Sequence, residues 1–177
     1  MLAGTNKERL EQEIAALIDF ISEGRRFFFN ATGYSRSSSD NYVNHFVSKE
    51  VFHSHRELKQ LELNIQLLYI KLASYYAVLN DSKGQGRVKK ARNVFAHELT
   101  DLIFKKRVKY NFFLHKVSEN FKRIQFIFYE ETPEGNDLLS KTFDIELDKD
   151  INDFLKEWSK VRKPDLTDRL IIPDISK

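Results

Sequence analysis

The stretch 122-KRIQFIFYEE-131 alternates, with Ile124, Phe126 and Phe128 falling on one side, the period of a strand with one buried face. The next segment, 132-TPEGND-137, has the composition of a turn, and 140-SKTFDIEL-147 alternates again, so a β-hairpin is predicted here. Just upstream, 108-VKYNFFLHKV-117 fits a third strand or a helix, and its pattern leaves both open. Downstream, Asp150 is placed to cap a last helix with Ile151, Phe154, Leu155 and Trp158 on one side. The tail, 163-KPDLTDRLIIPDISK-177, carries two prolines and reads as extended.

Before the hairpin the period is helical. Thr5 and Glu8 have capping-box spacing and open a helix to about Phe29, with Leu10, Ile14, Leu17, Ile18, Ile21 and Phe28 facing a core. A polar loop, 32-TGYSRSSSDN-41, follows, then 42-YVNHFVSKEVF-52, which reads as a short helix. Ser54 and Glu57 repeat the capping pattern ahead of a long helix, 55-HRELKQLELNIQLLYIKLASYYAVL-79, apolar on more than one face and therefore central. After the turn 80-NDSKGQG-86, a further helix puts Val88, Ala91, Phe95, Leu99 and Leu102 on a core stripe. Asn93, His97 and Phe104 share the opposite face, and an apolar Phe104 there suggests contact with another surface. The expected fold is mainly α: a helical bundle over residues 1–109, with a small C-terminal hairpin and helix over 110–177.

Composition narrows the function. The chain has 177 residues, 41% hydrophobic and 31% charged, with 15 Phe, 7 Tyr, 6 Gly and 3 Pro, which suits long elements and aromatic packing. Having no Cys, it has no thiolate zinc site and no cysteine nucleophile, which fits a cytoplasmic protein. The N-terminal MLAGTNKERLEQE has no signal-like apolar run, and charges interrupt the apolar segments, so no membrane span is expected. The sequence 84-GQG-86 lacks the Lys-Ser/Thr of a phosphate loop, and no serine occupies a nucleophile elbow. His53 and His55, two apart, are better explained by a solvated cap than by a metal pair; neither metal nor cofactor is expected.

Charge is uneven although its net value is only +3. Residues 83–109 hold nine Lys/Arg against Glu98 and Asp101, while 130–157 hold ten Asp/Glu against three Lys. The basic segment, with Arg87, Lys89, Lys90, Lys105 and Lys106, is either a solvated helix face or the footprint of a polyanion such as RNA. The acidic segment is either a solvated sheet face or a dock for a protein partner.

Within the basic segment, Arg92-Asn93-Val94-Phe95-Ala96-His97 is the only R-x4-6-H match in the chain. It resembles the signature of the HEPN superfamily, small helical domains that include metal-independent RNases of toxin–antitoxin and anti-phage systems. The resemblance covers residues 5–109 and implies a catalytic set of Arg92, Asn93 and His97, RNA as substrate and a homodimer with both motifs in one cleft; a partner docking on the acidic segment would then be one such as an antitoxin. It departs after the motif, where His97-Glu98-Leu99 stands in place of the H-x-Tyr of one toxin branch. The chemistry is coherent: imidazole titrates near neutrality and moves protons, and guanidinium offers charged donors to phosphate. In a regular helix, however, Arg92 and His97 lie about 140° apart. Either the arginine wraps around or two chains supply one site, and the resemblance favours two chains. The alternative reading is a non-catalytic, nucleic-acid-binding regulator similar to mannitol-operon repressors.

Overall fold

The computed structural model describes residues 2–31, 33–36, 43–98, 110–118 and 121–161. Two long helices form its spine, α1 (Leu2–Ala31) and α3 (Arg56–Val78). They bury Ile14, Ile18, Ile21 and Phe28 against Leu58, Leu61, Ile65, Leu68 and Leu72, the apolar repeat visible in the sequence. Between them lie β1 (Gly33–Arg36), β2 (Val43–Phe46) and the short α2 (Lys49–Ser54). Then come α4 (Ser82–Asn93), a π-helical turn at Val94–Glu98, β3 (Tyr110–Ser118), β4 (Ile124–Glu131), β5 (Asp137–Ile145) and α5 (Leu147–Val161). No described helix is long and apolar enough to cross a membrane.

The expectation of a helical bundle with a small hairpin is overturned. The strands form one curled antiparallel sheet in the order β1-β2-β3-β4-β5, so the architecture is mixed α/β. The hairpin of β4 and β5 is there, and the ambiguous segment at 108–117 is strand from Tyr110. Two strands come from regions read otherwise: Gly33–Arg36 from the polar loop, and Val43–Phe46 from the supposed helix, which begins only at Lys49. Because β2 pairs with β3, the sheet joins residues on both sides of position 109. Its inner face, with Leu114, Val117, Ile124, Phe126, Phe128, Phe143 and Ile145, belongs to the same buried core as the helices.

Polar groups fix the layers. The register of β3 on β4 shifts between Leu114 and Lys116, leaving His115 as the extra residue of a bulge. The Leu114 N–H donates instead to Glu62 Oε2 on α3 (3.2 Å), and the His115 carbonyl accepts from the Val47 N–H (2.9 Å). Gln66 Nε2 donates to Glu62 Oε1 at 2.8 Å, and burial pushes the Glu62 carboxyl up to about 8. On α5, Asp148 pairs with buried Arg25 of α1, and Asp150 accepts from the Tyr69 hydroxyl at 2.6 Å. Asp150 therefore ties α5 to α3, and the helix it was expected to cap starts earlier, at Leu147. Ser54 likewise does not cap α3, since its hydroxyl donates to the Val51 carbonyl.

Candidate active site

The helix that carries the motif is positioned from its first turn. The end of α3 turns through Asn80 (φ 55°), with Asn80 N–H on the Ala77 carbonyl and Asp81 N–H on the Tyr76 carbonyl. That is the paired bonding of a Schellman motif. Asp81 then caps α4, its carboxylate accepting from the Lys83 and Gly84 N–H groups at 3.0 Å each. Gly84 touches α3 closely: a Cβ there would stand 2.3 Å from the buried Tyr76 ring. Val88, Ala91 and Phe95 are buried as the stripe predicted, and Val94 joins them. Leu99, Leu102, Phe104, Lys105 and Lys106 lie outside the described residues.

One step around the helix, Gln85, Lys89 and Arg92 border an open groove of about 520 Å³. Its other wall is α3, through Ile70, Ala73, Ser74 and Ala77. Arg92 is half-buried at this groove, and its Nη1 lies 2.8 Å from Nε2 of the exposed His97. Only the guanidinium can donate in this contact, so Nε2 accepts and the neutral ring carries its proton on Nδ1. The two residues belong to one chain and meet although an α-helix would hold them about 140° apart. The π turn at Val94–Glu98 accounts for this, because its wider i→i+5 ring brings residues five apart toward one line. The angular argument for two chains thus loses its premise.

The remaining candidates separate. Lys89 is exposed and lines the groove. Asn93 is half-buried and makes no side-chain hydrogen bond to a described residue. Arg87 is occupied elsewhere: Nη2 donates to the Tyr76 hydroxyl (3.5 Å), Nη1 lies 3.5 Å from Asp153 of α5, and the guanidinium covers the Tyr76 ring. Lys90 points its ammonium at the Phe143 ring, 5.6 Å from the centroid. Of the proposed phosphate-binding cations described, Lys89 alone joins Arg92 on the groove. His53 hydrogen-bonds the Tyr129 hydroxyl at 2.9 Å, while His55 meets the edge of Phe27, so these two histidines do not form a pair. Among the described residues no cluster of three His, Asp or Glu side chains could hold a metal ion.

The α3 wall escaped the sequence reading, although 70-IKLASYYA-77 places small residues at positions 73, 74 and 77, a spacing that leaves a helix surface open. No family model, curated protein or solved structure matches the chain.

Proposed function

We propose that this chain is a cytoplasmic, metal-independent endoribonuclease of HEPN type, with Arg92 and His97 as its catalytic pair. The contact between Arg92 Nη1 and His97 Nε2 at the mouth of a groove bordered by Lys89 carries this reading. In the resting pair the Nε2 lone pair is held by arginine. A phosphate oxygen is a stronger, charge-assisted partner for a guanidinium than a neutral imidazole, so an entering phosphodiester draws Arg92 away. The freed Nε2 then takes the proton of the 2′-OH, whose oxygen bonds to phosphorus as the P–O5′ bond breaks. The leaving 5′ oxygen takes a proton from the imidazolium or from water, and Arg92 holds the charge that builds on the phosphoryl oxygens. Lys89 positions the strand through phosphate without reading bases.

A homodimer stays within the proposal in a changed sense: a second chain brings a second complete pair, rather than the missing half of one. Support for the HEPN assignment lies in the motif and its geometry, since the mixed α/β fold departs from an all-helical domain. The test is cleavage of RNA by purified protein in EDTA, compared with His97→Ala and Arg92→Ala. Loss of cleavage in both variants, with unfolding temperatures unchanged, is the expected result. Activity that survives His97→Ala would remove the ring from the mechanism. Binding without cleavage would favour the regulatory reading, to which the arginine-occupied Nε2 of the resting pair also lends support.

A further inference from the structure

A second, larger cleft of about 1010 Å³ opens between the β3–β5 face and α5. It lies in the part of the chain that composition marks as acidic, and four carboxylates line it: Asp144, Glu146, Asp148 and Asp153. Each is engaged. Asp148 pairs with Arg25, Asp153 with Arg87, Glu146 with Lys149 at 3.2 Å, and Asp144 accepts from Gln125 at 2.9 Å. Three of the five cations that line it are in the opposite condition. Lys122, Arg123 and Lys156 line the cleft, are exposed, and pair with no carboxylate among the described residues. Two of the acids are thus paired with guanidinium groups from outside the cleft, while three of its own cations form no close ion pair among the described residues, Lys122 acting on Asp148 only at longer range.

Lys122 and Arg123 also stand on a braced turn. Phe121 beside them is fully buried at φ 59°, a left-handed conformation that an aromatic residue holds only when its surroundings enforce it. Arg25 covers its ring at 4.9 Å. The turn is closed by the Arg123 N–H on Ser118 Oγ (2.7 Å) and the Ser118 N–H on the Arg123 carbonyl (2.9 Å). Two cations are therefore presented from a fixed backbone, with less ordering to lose when a ligand binds.

We propose that this cleft binds a phosphate-bearing anion through Lys122, Arg123 and Lys156. The chemistry is that of phosphate oxygens, carried either by a free nucleotide or by a nucleic-acid strand. The proposal does not depend on the ribonuclease reading, because it uses neither Arg92 nor His97.

The test is titration of the full chain at low ionic strength with pyrophosphate, ATP and a short DNA oligonucleotide, followed by amide NMR shifts and calorimetry. The variants are Lys122→Glu/Arg123→Glu and Lys156→Glu, with Lys89→Glu on the other groove as control. Shifts confined to residues 116–125 and 144–156 are expected, with affinity falling by roughly tenfold or more in the double variant, the weight of one lost charge-assisted contact. Lys89→Glu, whatever it does to a strand held at the other groove, should leave the shifts at residues 116–125 and 144–156 unchanged. Binding by pyrophosphate and ATP identifies a free phosphate ester as the ligand; binding by the oligonucleotide alone, with the same dependence, identifies a strand. No binding by any of the three, or binding that falls with Lys89→Glu and not with the cleft variants, overturns the proposal.

Discussion

Glu62 is the residue where sequence and environment conflict most. It lies in the middle of a helix at a position the core needs, yet its carboxyl also closes the bulge by accepting the Leu114 N–H. Burial raises it from an ordinary 4.5 to about 8, so the folded chain keeps a proton that the unfolded chain has already lost. The native state then binds more protons across this window, and stability falls as pH rises from 4.5 to about 8. Integrated from the unfolded value to pH 7, the loss is about 3 kcal/mol. Glu62→Gln imitates the protonated acid, so denaturant titrations across pH should show its slope flattened and its stability near pH 8 above that of the parent. An unchanged slope would remove Glu62 as the source. Arg87 and Lys89, neighbours in one basic run, should also part company. Arg87→Ala loses the Tyr76 and Asp153 contacts and should cost under about 1 kcal/mol of stability, as expected for a half-exposed pair. Lys89→Glu should leave stability alone and weaken RNA binding, the more so at low salt.

At the scale of elements, α4 is set by its close approach to α3. Gly84→Ala would force a methyl group into the Tyr76 ring, so the expected loss is about 1–3 kcal/mol, the cost of overpacking. The displaced helix carries Arg92, so cleavage should fall along with thermal stability; full activity at unchanged stability would mean that α4 tolerates the shift. The long elements were legible in sequence because α1 and α3 repeat their apolar positions over many turns, and the segments 122–131 and 140–147, which hold β4 and most of β5, alternate. The four-residue strands β1 and β2 were not. Four residues are too few for either period to stand out, and β2 is a strand because β3 supplies its partner. The candidate site was half legible. Arg92 and His97 could be chosen by chemistry and spacing, but nothing in Val94–Glu98 announces a π turn, and α-helical geometry held the pair apart. The groove needed α3, which contributes residues some twenty positions away, and Arg87 looked free because Asp153 is distant in sequence.

Across the whole molecule, one core joins the helical spine to a curled sheet, and the charges that look segregated in sequence are interleaved in space. Basic Arg87 pairs with acidic Asp153, and Arg25 with Asp148, so α1, α4 and α5 are tied by charge. Cations without a close ion pair among the described residues gather at two places, Lys89 with Arg92 on one groove and Lys122, Arg123 and Lys156 in the other. The central claim is that one chain holds a complete catalytic pair. It is tested most directly by assaying RNA cleavage in EDTA for the parent chain, Arg92→Ala, His97→Ala and an equal mixture of the two variants. The parent chain should cleave and leave 2′,3′-cyclic phosphate ends, while each variant and the mixture should be inactive, because no chain in the mixture holds both residues. Cleavage restored by mixing would show that two chains complete the site and would contradict the single-chain pair.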